Sequence, residues 1–541
     1  MRNFLLSSLL CCAVAFSAAA VADQGHHHGP LPGEKLGSVH FPISCSPTAQ
    51  AQFDRSLAML HSFWYEEAVR NFAMVTEKDP QCAMGYWGSA LALYHQLWPP
   101  YFSDPAAEKS GEETIAKAKT VGAKTQRERD YISALATFYK DSDKLGHKPR
   151  ALAYEKLMDQ LSQRYPQDHE AGVFYSLALI SNADPKDKTL ANYRKAGMIL
   201  EKIYAQQPNH PGVIHYIIHA YDNPTLASRA LNAARSYAKV APSVPHALHM
   251  PSHIFTRLGL WQDSIASNRA AANAAKDYAM KIHAGPAWDQ HLHPMDYLMY
   301  AYLQSGQDND AKALLDEVNS LPQTETTMTG HYALSAIPAR YAVERGRWAE
   351  AASLQPHPNA DRISQAITYW ARGLGAARSG NVATAHEALQ KVQEQSDALA
   401  KEKDEYWSGQ VDILREELAG WIARAQENND TALKRLRAAV EMEDATDKSN
   451  VTPGSVLPAH EMYADLLLEL KHPADALAEY EASLRTAPNR FHGLYGAAQA
   501  AELAGQKEKA RVYYAKLVEI CKKGGADKPE LKQAMAFLAK K

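Results

Sequence analysis

The chain is predicted to be all-α, a right-handed superhelical solenoid of stacked helix hairpins, and three observations predict it. Two stretches repeat at a spacing of 34 residues: Pro208 aligns with Pro242, Pro211 with Pro245, His215 with His249 and His219 with His253. A period of about 34 residues belongs to a helix–turn–helix unit that buries its apolar face by stacking on its neighbours. From Thr48 onward apolar residues recur at three- and four-residue steps almost without a break, and no alternating strand pattern of useful length appears. Finally, 541 residues exceed the roughly 250–300 that one core holds, so the chain needs several domains or a repeat array.

Residues 1–22 read as a secretory signal. Arg2 precedes an apolar run from Phe4 to Phe16, and Ala20-Val21-Ala22 fits the small-residue cleavage rule, leaving Asp23 first. The run is too short for a membrane anchor, and no later stretch reaches about 18 uninterrupted apolar residues. Cys11 and Cys12 lack the small residue expected before a lipidated cysteine. The expectation is a soluble exported protein of bacterial type, in the periplasm. Residues 23–46 are rich in Gly, Pro and His, include His26-His27-His28, and read as a flexible or extended lead.

The first hairpins are expected over 47–98. Phe53, Leu57, Leu60, Trp64, Ala68 and Phe72 mark the first, and Asp79-Pro80 ends it. Residues 99–124, rich in Pro, Lys and Glu, read as an insertion before helicity resumes near Arg127. A central His-rich array then spans 125–320 and a C-terminal array 321–541. Pro166, Pro208, Pro242 and Pro488 each close one helix and precede another. Gly259, Gly306, Gly346, Gly380 and Gly505 mark inner turns, each followed by an Ala-containing helix.

Outside the signal three cysteines remain, Cys45, Cys82 and Cys521. Cys45 and Cys82 flank the first hairpin, and in an oxidising compartment a disulfide between them is expected, against two buried free thiols. The formal net charge of −3, with both signs mixed throughout, gives no basic footprint for nucleic acid and no polybasic membrane patch.

Over nearly all of this length the chain resembles the tetratricopeptide-repeat superfamily. More narrowly it resembles a group of large exported bacterial repeat proteins with little assigned function. The strings SCSPTAQAQFDRSLAMLHSFWYEEAV, DPQCAMGYWG, HYIIHAYD, HMPSHIFTRLGLW, HPMDYLMYAYLQ and PAHEMYADLLLE carry that resemblance. It implies a solenoid of tetratricopeptide-type hairpins and export, and it does not hand over an activity.

Nine of the 23 histidines fall between His210 and His293. Residues four apart share a helix face, so His215 and His219 point one way with Asp222 beyond them. His249 and His253 repeat the pair, with His246 one turn before, and His291, His293 and Asp296 follow. Pro211 and Pro245 mark first helices, which line the concave groove in such solenoids, so a stack of imidazoles along the groove wall is expected. Pro251 should distort its helix near His249. Two imidazoles at this spacing share a transition-metal ion when a neighbouring helix supplies further ligands. A mixed set with Met250, Met295 or Met299 would suit copper; an all-His/Asp set would suit zinc. Such binding should weaken as pH falls through roughly 6.5.

No catalytic motif is complete. His460-Glu461 begins a metalloprotease pattern that Ala464 breaks, His386-Glu387 fails likewise, and no G-x-S-x-G elbow is present. Tyr297, Tyr300, Tyr302, Tyr332 and Tyr341 with Arg340 would either line a groove or form core. Two readings follow. One is a scaffold whose groove holds a protein, peptide or small ligand, with Asp222, His246, Asp296, Tyr297 and Arg340 among its contacts. The other is a copper or zinc protein, or a metalloenzyme, using His215, His219, His249, His253 and His293. Imidazoles converging to within about 2 Å of a common point favour the second.

Overall fold

The computed structural model describes residues 34–97, 105–282, 288–321, 327–525 and 527–540. The signal 1–22 and the part of the lead holding His26-His27-His28 lie outside the described residues. Among the described residues every regular element is a helix. Twelve successive helix pairs run from Pro47–His61 with Tyr65–Lys78 to Phe491–Leu503 with Lys507–Ile520, and Pro529–Ala539 closes the array. Each pair packs on the next, which makes the chain the solenoid of helix hairpins that its period predicts.

The inner turns show why glycine marks them. Gly259 has φ +64, and a Cβ there would meet the Pro488 carbonyl at 2.5 Å. The same left-handed turn is taken by Phe63, Lys403, Glu427 and Lys471 without glycine. Between helices, close approach is the stronger demand. A Cβ on Gly88 would meet the Phe72 ring at 2.3–2.7 Å, with Phe72 itself fully buried. Gly88→Ala is therefore expected to cost about 1–3 kcal/mol through overpacking, read as a lowered urea midpoint. An unchanged midpoint would show that the hairpin opens freely.

Two segments differ from expectation. From Lys35 the lead carries no regular element and is docked against the first helices rather than flexible. Phe41 is 0 % exposed against Phe53, Trp87 and Tyr131, and the Ser38 amide donates to the Asn209 carbonyl at 2.9 Å. One buried aromatic ring is enough to fix a short segment that has no period of its own. The 99–124 insertion carries a helix, Pro105–Val121, which buries Gly111, Ile115 and Ala118. Two small residues and one isoleucine make too narrow a stripe to register as amphipathic among so many charges. Cys45 and Cys82 are joined by a disulfide, with Cα atoms 5.2 Å apart, tying the lead to the start of the helix Ala83–Tyr94. Cys521 is free and buried.

Candidate metal centre

The helix Pro211–Tyr221 begins with Pro211 in its first turn, and the His210 side chain caps it by accepting from the Val213 amide. His215 and His219 follow one turn apart on its buried face. One repeat later the helix is interrupted. Pro245–His249 and Pro251–Arg257 are separate short helices meeting at Met250, where Pro251 ends the first. The helix Asp289–Gln304 supplies His293, directly before Pro294.

These helices bring six imidazoles into two groups of three, His215 with His219 and His246, and His249 with His253 and His293. Within each group the nitrogens that could ligate lie within 4.8 Å of one another. The Nε2 atom of His215 is 3.0 Å from that of His219 and 3.2 Å from that of His246. In the second triad the Nε2 atoms of His249 and His253 are 3.0 Å apart. The triads adjoin: the rings of His219 and His253, and those of His246 and His249, have centroids 6.1 Å apart. His246, one turn from His249 in sequence, thus joins the preceding repeat's pair.

The outward ring nitrogens decide what the inward ones can do. The His215 Nδ1–H donates to the His61 carbonyl at 2.7 Å. His253 donates from Nδ1 to the Asp222 carboxylate at 2.8 Å. His249 donates from Nδ1 to the Asn268 side-chain oxygen at 2.6 Å, and that oxygen is identified because the Asn268 amide nitrogen donates to the Ser264 carbonyl. A neutral ring protonated on Nδ1 has a bare lone pair on Nε2. All six rings are at most 7 % exposed. Burial first, and then neighbouring imidazoles, hold His215, His219, His246, His249 and His293 well below the usual 6.5. Burial also lowers His253, against the opposite pull of Asp222. At neutral pH the Nε2 lone pairs of His249 and His253 therefore face each other at 3.0 Å, a repulsive contact that a cation between them converts into ligation. In the first triad, by contrast, the buried Nδ1 of His219 has no partner and leaves its Nε2–H free to donate to the His215 Nε2.

Asp222 is not placed as a ligand. Its carboxylate takes His253, the Arg257 Nε at 2.8 Å and the Lys448 Nζ at 3.2 Å. Burial alone would raise its pKa; Lys448 and Arg257 overcome this and hold it well below the carboxylate range. Burial in turn lowers Lys448 to about 8, against the pull of Asp222. Asp296 serves Arg340, whose Nε donates to it at 2.8 Å, so it is withdrawn from metal chemistry. Tyr297 packs its ring on His249, His253 and His293 and donates to the Thr452 carbonyl at 3.1 Å. Tyr300, Tyr302, Tyr332 and Tyr341 are all buried core. Met295 and Met299 sit in an apolar cluster with Leu292 and Leu298, and Met250 is likewise core.

A strap at 446–458 crosses the second triad. Arg257 holds Asp447, Arg340 holds the Gly454 and Ser455 carbonyls, and Val451 hydrogen bonds His293 through its backbone. This strap, His61 and Asn268 carry no signal in the repeat register and were not legible as site residues. A third buried group, His61, Glu170 and His210, differs in kind. His210 accepts on Nδ1, so its Nε2–H donates to Glu170 at 2.7 Å, and His61 donates to the same carboxylate at 2.9 Å. Its ring protons point inward, so it is a closed hydrogen-bond network rather than an open ligand set. His291 belongs to neither triad.

No protein-family model matches the chain, and no curated protein matches it. Solved structures do. Human IFIT1, as a dimer with PPP-AAAA, is 11 % identical over 88 % of this chain and 96 % of its own, with a TM-score of 0.37. Yeast Tom70 is 11 % identical over 91 % and 95 %, at 0.32. A tetratricopeptide repeat protein from Parabacteroides merdae is 15 % identical over 55 % and 99 %, at 0.28. The superpositions are loose at these scores.

Proposed function

We propose that this protein binds two transition-metal ions, one in each tri-imidazole group, within an exported helical solenoid. The observation that carries the reading is the 3.0 Å approach of the His249 and His253 Nε2 atoms while both Nδ1–H groups are engaged elsewhere. Three imidazoles and one open position make a reactive or exchangeable site rather than a sealed structural one. Imidazole suits copper or zinc, and the carboxylate, amide and carbonyl behind the rings are the outer partners that fix a ligand's tautomer. The Cys45–Cys82 disulfide supports export to an oxidising compartment. The groove reading loses its motive at these residues, since rings at most 7 % exposed offer little to a docked peptide.

The test is metal content. Protein with His26→Ala, His27→Ala and His28→Ala, to silence the lead, is loaded with Cu or Zn, dialysed and weighed by native mass spectrometry. Two tightly held ions per chain are expected. His253→Ala should hold one, and His219→Ala/His253→Ala none, each with a native circular dichroism spectrum. Equal, weak uptake by all three proteins would overturn the reading.

A further inference from the structure

We infer that the two ions are copper and act as one coupled pair that binds dioxygen between them. The inference rests on the metal reading above and adds the metal's identity, its coupling and its small-molecule ligand.

Charge selects the metal. All six ligands are neutral imidazoles. The nearest carboxylate, Asp222, is already matched by Arg257 and Lys448, and Asp447 is matched by Arg257. Two divalent ions would bring four positive charges into a buried site with no free anion, a costly desolvation. Two cuprous ions bring two. Imidazole ligates copper well, and a three-coordinate cuprous ion is satisfied by such a triad.

Geometry selects the coupling. Each triad lacks a fourth ligand from any described His, Cys, Asp or Glu, and the triads adjoin across ring pairs 6.1 Å apart. Metals that share a bridging ligand stand about 3.5–4 Å apart, which rings at that spacing permit. Access selects the ligand. Phe63 covers the first triad, its ring centroid 4.4 Å from that of His215, and Tyr297 covers the second at 4.9 Å from His249. His246 and His293, at 7 % exposure, are the least buried rings of their triads. A small molecule suits so closed a place.

Dioxygen satisfies all three demands. Each cuprous ion gives one electron, two Cu(II) form, and O2 becomes a peroxide bridging them with its O–O bond intact. No proton moves. The site carries two net positive charges before the step and two after it, so no counter-ion has to enter. Release of O2 reverses the transfer.

The full-length mature protein is loaded anaerobically with Cu(I) and its stoichiometry fixed by native mass spectrometry. It is then exposed to O2 while absorbance and electron paramagnetic resonance are recorded. The expected result is two coppers, uptake of one O2, an intense near-ultraviolet band absent under argon, and no resonance signal, because the Cu(II) spins pair. Zinc-loaded protein should remain colourless. His249→Ala, holding one copper, should lose at least tenfold of the band and, once oxidised, show one isolated Cu(II). Two coppers with no O2 uptake, or with two isolated Cu(II) signals, would overturn the coupled pair and leave the metal reading standing. Fewer than two coppers would overturn the copper pair, and the metal reading would fall with it only if the zinc-loaded protein also held fewer than two ions.

Discussion

Replacing Arg490 with leucine is expected to destabilise the protein by roughly 3–5 kcal/mol, the cost of removing one partner from a buried ion pair. Arg490 is 0 % exposed. Its guanidinium donates to Glu461 at 2.8 and 3.1 Å, to Glu344 at 2.8 Å and to the Tyr300 hydroxyl at 2.9 Å. Leucine would leave two carboxylates facing each other without a cation, and Glu344 already has one oxygen with no hydrogen-bond partner. The effect reaches the metal centre because Tyr300 lies on the helix Asp289–Gln304, which also carries His293 and Tyr297. That helix is clamped at its end too, where the Gln304 side chain accepts from the Phe491 amide at 2.9 Å. Urea denaturation of the two proteins measures the difference. Arg490→Lys should recover only part of it, since an ammonium keeps the charge but not the fork that spans two carboxylates. A loss below about 1 kcal/mol for Arg490→Leu would mean that both carboxylates reach water, and the clamp would not exist.

The fold was legible because a solenoid writes its period into the chain. Proline and histidine recur at one spacing, and each turn glycine followed by a small residue reports one hairpin. Where the turn is made by Phe63, Lys403, Glu427 or Lys471, that mark is missing, although the backbone adopts the same left-handed conformation. The candidate site was legible in part for the same reason. His215, His219, His249 and His253 stand in register, and spacing alone put each pair on one face. His246 and His293 were visible as neighbours, but which triad each completes depends on how three helices cross. Burial was not visible. The imidazoles were expected along an open groove, whereas the described structure encloses them, because His61, Asn268 and the strap arrive from distant parts of the chain. Asp222 illustrates the difference: its nearness to His219 in sequence suggests a ligand, yet Arg257 and Lys448 claim its oxygens and turn it into an orienting partner for His253.

Mild acid should unfold the metal-free protein, and bound metal should move that unfolding to lower pH. An unfolded chain titrates its histidines near 6.5. In the folded protein five of the six site imidazoles are held well below that value, by burial first and then by one another, and His253 is lowered too. Above pH 6.5 the rings are neutral in both states and contribute nothing to the pH dependence. Below it the unfolded chain takes up protons that the native site refuses, so native stability falls with pH. The loss is about 1.4 kcal/mol per pH unit for each ring that stays neutral. The five rings held well below 6.5 would exhaust a stability of about 5–15 kcal/mol within roughly one to two units. The depressed carboxylates Asp222 and Glu170 add the same sign only further down, since their contribution is complete above the ordinary carboxylate range. His492, raised to about 9 by Asp465 against its burial, works oppositely: its contribution is full below 6.5 and lost as pH climbs through 9. A metal bound to neutral rings stabilises only the native state, by RT ln(1 + [M]/Kd), so copper or zinc should shift the acid midpoint downward. The structure also revises the expectation that binding fades through roughly 6.5, because the folded rings are still neutral there. Metal should instead stay bound past that pH and leave together with the helical signal. Circular dichroism and a metal indicator followed in one acid titration would decide it. Metal loss centred near 6.5 with the helical signal intact would show that the rings titrate as if in water.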